Sequence, residues 1–179
     1  MHNDVKKILV SQEEIVKRSK ELGQQISEDY RKSGTTPLLV ALLKGSVPFL
    51  AELMKHIDLD IQIDFMDVSS YEGTESIGDI RINKDLNGSI KGMSILLVED
   101  IVDTGRTLKE VTRLLMNKGA ADVKVVSLLD KPDRRTVEIE ADYVGFEVPN
   151  EFVIGFGLDY DQHYRNLPYV GVLKDEVYQ

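Results

Sequence analysis

The stretch that decides the fold is Ile95-Leu-Leu-Val98-Glu-Asp-Ile-Val-Asp103-Thr-Gly105-Arg-Thr107. Its four apolar residues, Ile95–Val98, are typical of a strand that is covered on both faces. Carboxylates, threonines and Gly105 follow, and a helical apolar pattern begins at Leu108. The stretch therefore predicts a strand, a polar turn and a helix in succession.

Two other stretches contain a similar apolar run. Pro37–Leu43 is continuous and apolar, and Lys44, Gly45 and Ser46 interrupt it before a second helix. Ser46 is predicted to cap that helix. The apolar face of the helix comprises Phe49, Leu50, Leu53 and Met54. Val123–Leu129 is the third run, and strands that alternate with helices at this spacing favour βαβ units around a parallel sheet.

Further elements are predicted on either side of these units. Ser11 and Glu14 have the spacing of a capping box, which predicts a helix that ends near Gly34. Ile61, Ile63 and Phe65 alternate with polar residues, as in a half-buried strand. Strands or edge elements are also predicted at three short apolar runs, Tyr143–Phe146, Phe152–Phe156 and Tyr169–Leu173.

The length and composition favour a single domain. The chain has 179 residues, of which 42% are hydrophobic and 30% are charged. This is ordinary globular composition, with enough chain for one hydrophobic core. We expect one α/β domain over residues 1–179, with its ligands beyond the carboxyl ends of the parallel strands. That edge places the chemistry at Lys44, Glu99–Thr107 and Lys131.

Charge and cysteine content exclude several classes of protein. The 22 Lys and Arg residues against 31 Asp and Glu residues give a net charge of −9, which argues against a nucleic acid polymer as partner. The absence of cysteine excludes disulfides, thiolate nucleophiles and cysteine-ligated metals. The N-terminal residues mix charges without the apolar region of a signal peptide, and Leu38–Leu43 is far too short to span a membrane. We expect a soluble, cytoplasmic protein.

The residues Glu99–Thr107 combine two kinds of ligand group. Backbone amides at a helix N-terminus, with Gly105 and the threonine hydroxyls, can hold a phosphate. Adjacent carboxylates accept hydrogen bonds from vicinal hydroxyls or from water on magnesium, so the combination favours a ribose phosphate. The alternative is a solvated acidic loop in which Thr107 and Glu110 form a capping box. Neither a Walker A loop nor a Gly-x-Gly-x-x-Gly turn occurs, which argues against an ATPase or a dehydrogenase.

At Val98–Thr107 the sequence resembles the phosphoribosyl diphosphate signature of the type I phosphoribosyltransferases. Five other stretches narrow the resemblance to the bacterial hypoxanthine phosphoribosyltransferases. They are Leu42–Gly45, Ser70-Tyr71, Leu128–Pro132, Phe152–Tyr160 and Tyr164–Pro168. The resemblance implies a central, mostly parallel sheet flanked by helices, a small hood formed by the N-terminal and C-terminal segments, and a flexible lid loop at about 69–80.

The resemblance also implies roles for individual residues. Ribose phosphate binding falls to Glu99, Asp100, Asp103, Thr104, Gly105, Arg106 and Thr107, of which Asp103–Thr107 wrap the 5′-phosphate. Asp103 is the implied catalytic residue, as general base or as the partner of purine N7. Lys44, Gly45 and Arg165 are assigned to pyrophosphate. The Leu43–Lys44 peptide is often cis in the family, which sequence alone does not show.

The purine, the metal and the lid have their own implied residues. Purine binding is assigned to Lys131, Phe152, Val153 and Asp159, with the Phe152 ring stacked on the base. The Lys131 ammonium only donates hydrogen bonds, which favours a 6-oxopurine over adenine. The implied cofactor is Mg²⁺, with Glu99, Asp100 and Asp159 as candidate ligands. Ser70 and Tyr71 are expected to close over the reaction and exclude water.

The resemblance implies a purine salvage enzyme that uses phosphoribosyl diphosphate and hypoxanthine or guanine. One alternative is a related enzyme that prefers xanthine, which depends on contacts around Val153 and Asp159. Another is a regulatory RNA-binding protein of the same fold, but such a protein needs a basic face, and here acids outnumber bases. A homodimer or homotetramer is expected, because homo-oligomers are usual in the family.

Overall fold

The computed structural model describes residues 1–70 and 80–179. These residues form two β-sheets with helices packed against them. The strands are β1 (Val5–Val10), β2 (Leu38–Leu42), β3 (Gln62–Ser70), β4 (Ile80–Lys84), β5 (Ser94–Val102), β6 (Asp122–Asp130), β7 (Tyr143–Glu147), β8 (Val153–Ile154) and β9 (Val170–Leu173). The α-helices are α1 (Gln12–Ser33), α2 (Val47–Met54), α3 (Arg106–Asn117) and α4 (Asp175–Tyr178). Pro132–Arg134 form one 3₁₀ turn.

The larger sheet is mostly parallel, as predicted. Within the described ranges its strand order is β4-β3-β2-β5-β6-β7. The neighbouring strands β3, β2, β5, β6 and β7 pair in parallel. At one edge, β4 pairs with β3 in the antiparallel direction. Because β2 and β5 lie at the centre, the carboxyl ends of these two apolar strands adjoin. Lys44 lies just after β2, and Glu99 lies in the second half of β5.

Helices cover both faces of this sheet, which explains the continuous apolar runs. Leu39 and Leu96 pack into one core cluster with α1 and α2. Val40 and Leu97, their neighbours in sequence, pack into a second cluster with α3. A strand that is buried on both faces has no polar side to alternate with, so its sequence reads as an uninterrupted apolar run.

The smaller sheet joins the two ends of the chain. Its antiparallel order is β1-β9-β8, with Val5 opposite Leu173 and Val153 opposite Val172. These are the segments in which the resemblance places the hood. The sheet matters for the site because it carries Phe152 and Val153 over the edge of the larger sheet.

The predicted limits of α1 are confirmed. The Ser11 hydroxyl accepts a hydrogen bond from the Glu14 amide at 3.2 Å, and the Glu14 carboxylate accepts one from the Ser11 amide at 2.7 Å. Gly34 ends the helix with φ +69°, a left-handed conformation that glycine adopts without strain. No helix in the described residues is long and apolar enough to cross a membrane.

Three local predictions are wrong. Ser46 does not cap α2; its backbone is helical and its hydroxyl donates to the Leu42 carbonyl oxygen. Met54 is 37% exposed and does not belong to the apolar face of α2. On β3 the better-buried residues are Asp64 and Met66, whereas Ile63 is 43% exposed. The strand itself is confirmed, and Ile61 and Phe65 pack against the first core cluster, so only Ile63 departs from the predicted pattern. Asp64 lies on the opposite face.

Asp64 is stable in that position because its carboxylate has partners. It accepts hydrogen bonds from the backbone amides of Phe65 and Asn87, at 2.8 and 2.9 Å, and it lies 3.8 Å from the Lys84 ammonium. A buried carboxylate with several partners does not carry the penalty of an isolated one.

Candidate active site

Two acids lie inside β5 rather than in the turn after it. The sequence predicted that the strand ends at Val98, but β5 continues to Val102 and holds Glu99 and Asp100 in extended backbone. Parallel pairing with β6 stabilises this extension, since Glu99 and Ile101 are in register with Ser127 and Leu129. The acids therefore have fixed positions at the carboxyl end of the sheet.

Both carboxylates lie in an environment that disfavours their charge. Burial raises the pKa of Glu99 well above its usual range, and the neighbouring Asp100 adds to the shift. Burial also raises the pKa of Asp100, to about 6, although backbone hydrogen bonds and the Arg165 charge act in the opposite direction. Two adjacent, buried acids are stabilised by a bound cation or by hydroxyl donors, so this pair fits the predicted ligands.

A phosphate-sized loop follows the acids. Gly105 has φ +83° and occupies the N-cap position of α3. A Cβ atom there would lie 2.6 Å from the Ile139 side chain, so both the conformation and the space require glycine. A cavity of about 220 Å³ opens over the loop. Its walls include Gly45, Glu99, Asp100, Asp103, Thr104, Gly105 and Thr107. The first-turn amides of α3 make this a favourable anion site.

The turn after β6 braces this loop from outside. Arg134 donates through Nε to the Asp103 carboxylate at 3.0 Å, and Arg135 donates to the Asp103 carbonyl oxygen. The Thr136 amide donates to the Thr104 carbonyl oxygen at 3.0 Å. Arg106 donates to the Thr136 hydroxyl, also at 3.0 Å, so its side chain braces the loop. Sequence reasoning missed Arg134 and Arg135 because they read as part of an ordinary charged turn.

A second cavity, of about 450 Å³, lies on the other side of Asp103. Lys131 is 8% exposed and lines it, with its ammonium donating to the Glu151 carbonyl oxygen at 2.7 Å. Burial lowers the pKa of Lys131, and the nearby Asp103 carboxylate opposes that shift. The cavity walls also include Ile101, Asp103, Arg134, Phe152, Val153, Leu158 and Tyr178. It combines flat apolar surfaces with one ammonium donor.

The two cavities adjoin. Ile101 and Asp103 line both of them. The loop before α3 and an aromatic pocket thus share one carboxylate at their junction. A ligand in each cavity would meet at Asp103.

The residues predicted for pyrophosphate form a third group. Gln162, which the sequence analysis did not identify, accepts hydrogen bonds from Lys44 at 3.3 Å and from Arg165 at 3.2 Å. Arg165 also lies 3.2 Å from the Asp159 carboxylate. The structure therefore brings Lys44, Arg165 and Asp159 together, and the Leu43–Lys44 peptide is cis. The one sequence feature that could have identified Gln162 is its position between Asp159 and Arg165.

Close backbone packing joins this group to the acids. A Cβ atom on Gly45 would lie 1.8 Å from Asp100 Oδ2, and one on Gly157 would lie 1.9 Å from the Gly45 carbonyl oxygen. Position 157 therefore admits only glycine, and a side chain at position 45 would displace the Asp100 carboxylate. The predicted role of Gly45 remains a prediction, but its place beside Asp100 gives a physical reason for the residue.

The predicted lid is described only at its base. Ser70 is exposed at the end of β3 and pairs with Ile80 of β4. Tyr71 lies outside the described residues. Asp159, predicted for both purine and metal, follows the pocket residue Leu158 and directs its carboxylate to Arg165.

The residues present fit Mg²⁺. In the described chain no three His, Cys, Asp or Glu residues form a ready-made metal site. Mg²⁺ commonly takes one or two carboxylates together with substrate oxygens and water, rather than an all-protein cage. The buried oxygens of Glu99 and Asp100 provide such a partial site.

Comparison with known proteins agrees with this geometry. Residues 6–161 match the phosphoribosyl transferase domain family. The chain belongs to the phosphoribosyltransferase family. Hypoxanthine-guanine phosphoribosyltransferase of Streptococcus thermophilus is 57% identical over 179 residues, which cover 99% of this chain and 98% of the relative. The protein of that name from Lactococcus lactis is 58% identical over 97% of this chain and 94% of its own length.

The fold of this phosphoribosyltransferase is shared with solved structures. A hypoxanthine phosphoribosyltransferase from Staphylococcus aureus superposes with a TM-score of 0.95 at 52% identity, covering 100% of this chain and 97% of that one. The predicted fold class and family are therefore confirmed.

The acid pair of this phosphoribosyltransferase leads to a stability prediction. Asp100→Asn removes a carboxylate whose charge is disfavoured by burial, and it keeps an oxygen for the Ile101 amide. A gain of about 1 kcal/mol corresponds to roughly 2–4 °C in melting temperature for a domain of this size. Thermal unfolding in EDTA near neutral pH measures this. The matched control is Asp60→Asn at an exposed position. A melting temperature for Asp100→Asn at or below that of the parent would contradict the account.

Proposed function

We propose that this protein transfers 5-phosphoribose from phosphoribosyl diphosphate to hypoxanthine or guanine, giving IMP or GMP and pyrophosphate, in purine salvage. The observation that carries the proposal is the junction of two cavities at Asp103 and Ile101. One cavity suits a sugar phosphate, and the other suits a flat, oxygen-bearing ring. The names of the close relatives support the same reaction.

The donor substrate is bound by the phosphate loop and the acids before it. The backbone of Asp103–Thr107 receives the 5′-phosphate, and Glu99 and Asp100 accept hydrogen bonds from the ribose hydroxyls. The diphosphate lies toward Lys44, Gly45 and Arg165. The side chains of Lys44 and Arg165 already share Gln162 as a hydrogen-bond acceptor. With both ends of the donor held in this way, we expect the anomeric carbon between the two cavities.

The purine lies in the second cavity. Lys131 donates a hydrogen bond to the 6-oxo group and rejects a 6-amino group, because an ammonium has no acceptor. Phe152 stacks on the base, and the Val153 backbone contacts its edge. Asp159 follows the cavity residue Leu158 in the sequence, and its carboxylate forms an ion pair with Arg165.

The reaction forms one bond and breaks another at the anomeric carbon. Purine N9 forms a bond to C1′, while the bond from C1′ to the diphosphate oxygen breaks and its electron pair leaves with pyrophosphate. The base acquires positive charge as this happens, and a proton must leave it. Asp103 accepts the proton that leaves purine N7, or it stabilises the positive charge that develops on the base.

Mg²⁺ is the proposed cofactor, held by Glu99 and Asp100, with Asp159 as a further candidate. When bound, it neutralises charge on the diphosphate as that group departs. The three carboxylates are poorly suited to bind a substrate with both a phosphate and a diphosphate without it. The metal, together with Lys44 and Arg165, explains how an acidic protein can select a phosphorylated ligand.

Water exclusion and assembly complete the proposal. Ser70 and Tyr71 close over the reacting centre, because an oxocarbenium-like ribosyl group would otherwise react with water. Residues 1–179 act as one cytoplasmic domain, assembled as a homodimer or homotetramer.

A comparison of four bases tests the proposal. Initial rates with phosphoribosyl diphosphate and Mg²⁺ are measured for hypoxanthine, guanine, xanthine and adenine by absorbance. We expect turnover with hypoxanthine and guanine, and a kcat/KM for adenine lower by at least about 100-fold. Preference for xanthine would favour the related enzyme, and comparable adenine turnover would refute the role of Lys131. Salt-sensitive RNA binding without turnover would refute the enzyme altogether.

A further inference from the structure

Three aromatic rings form a cluster beside the base cavity. Phe152 and Tyr178 are stacked, with ring centroids 4.9 Å apart and planes 25° apart. Tyr160 meets Phe152 edge-on at 5.6 Å and Tyr178 at 6.5 Å. The ring proposed to stack on the purine is thus itself held by two others.

Tyr178 reaches this position because β9 brings the end of the chain back to β8. The Leu173 amide donates to the Phe152 carbonyl oxygen at 2.9 Å, which ties the two segments together. Val177 packs against the small core of Val5, Ile154 and Leu173. The Tyr178 hydroxyl donates to the Asp175 carboxylate at 2.8 Å, so the ring is fixed at both ends of α4.

Tyr178 borders the base cavity without filling it. Its side chain lines the same cavity as Lys131, Asp103 and Phe152. With Tyr178 in place, that cavity still measures about 450 Å³, which is within the range of about 300–1,000 Å³ for small-molecule sites. The ring is therefore a wall of the pocket rather than an occupant of it.

We propose that Tyr178 is a positioning residue for the purine, holding the Phe152 ring in the plane on which the base stacks. The inference rests on the proposed function and extends it to the C-terminal helix. Phe152 is 37% exposed, so without Tyr178 its ring would lose the aromatic contact that covers one of its faces. A stacking surface that is already oriented loses less conformational freedom when the ligand binds.

Steady-state kinetics of Tyr178→Ala and Tyr178→Phe test this role. In Tyr178→Ala the KM for hypoxanthine and guanine should rise about threefold to tenfold, in line with the strength of aromatic pairs. The KM for phosphoribosyl diphosphate and kcat should stay within about twofold of the parent. Tyr178→Phe keeps the ring and should recover most of the affinity for the base. Glu176→Gln, on the same helix and 78% exposed, is the matched control.

Each other outcome overturns the role of Tyr178. An unchanged KM for the base in Tyr178→Ala means that Phe152 needs no support. A lower KM means that the ring competes with the base. A parallel loss for both substrates, with a lower melting temperature, means that Tyr178 only stabilises the fold. If the parent protein itself shows no turnover with any base, the proposed function fails, and that result differs from an active parent with an unaffected variant.

Discussion

Asp103→Asn should lower kcat by roughly 10²- to 10⁴-fold, the usual contribution of a positioned general base. Its carboxylate lies where the two cavities meet, 3.0 Å from Arg134 Nε. The amide has nearly the same size and can still accept from Arg134 through its oxygen, so the loop should keep its shape. It cannot take up the proton that leaves the base. The KM for phosphoribosyl diphosphate should therefore change by no more than about threefold.

The matched control for this variant is Asp133→Asn. Asp133 is exposed and belongs to the 3₁₀ turn that carries Arg134. The control removes a negative charge from the same region without changing the cavity junction, so its kcat should equal that of the parent. Equal kcat in Asp103→Asn and the parent would remove Asp103 from the chemistry.

Lys131→Met should have the second largest effect, on both the rate and the choice of base. The Lys131 ammonium is buried in the base cavity and donates to a backbone carbonyl oxygen. A charge-assisted hydrogen bond contributes about 1.5–3 kcal/mol. We expect kcat/KM for hypoxanthine and guanine to fall roughly 10- to 150-fold. Adenine should gain nothing in absolute rate, but the preference for 6-oxopurines should shrink.

Methionine suits this position because it is close to lysine in length and needs no hydrogen-bond partner. Removal of the charge offsets part of the loss of the hydrogen bond to the Glu151 carbonyl oxygen, because burial already disfavours the ammonium. Lys109→Met, at an exposed position on α3, serves as the control and should leave kcat/KM unchanged. An unaltered ratio of hypoxanthine to adenine turnover in Lys131→Met would show that another group selects the base.

The central sheet could be predicted from sequence because its strands are buried on both faces. The apolar runs at β2, β5 and β6 have no polar alternation, and each is joined to a helix or follows one. β1 and β4 were not predicted. Val5–Val10 contains adjacent lysines and lacks regular alternation, and β4 is a five-residue edge strand. Their pairing depends on distant partners, β9 and β3, that local patterns do not reveal.

Two of the wrong predictions have identifiable physical causes. Ser46 and Ile63 were assigned from local preference, a capping hydroxyl and an apolar side chain. In the structure the Ser46 hydroxyl has the nearer Leu42 carbonyl oxygen as its partner. On β3 the buried Asp64 carboxylate is stabilised by hydrogen bonds from the backbone amides of Phe65 and Asn87. At Ser46 a competing local hydrogen bond replaces the capping one, and at Asp64 a contact distant in sequence outweighs a local preference of about 1 kcal/mol.

The site was partly predictable for a related reason. Glu99–Thr107 and Lys44 lie next to recognisable strand ends, so their convergence follows from the parallel sheet. Gln162, Arg134 and Tyr178 lie in a loop, a short turn and the C-terminal helix. Their contribution depends on contacts at 3.3, 3.0 and 4.9 Å with residues far away in sequence. No spacing rule connects such positions.

The most direct test of the central claim measures pyrophosphate and nucleotide together in one sample. The purified protein is incubated with phosphoribosyl diphosphate, Mg²⁺ and hypoxanthine, and both products are quantified over time. If the two cavities hold donor and base on either side of Asp103, IMP and pyrophosphate appear in equal amounts, and neither appears when the base is omitted. Pyrophosphate released without IMP, or no product at all, would contradict the account.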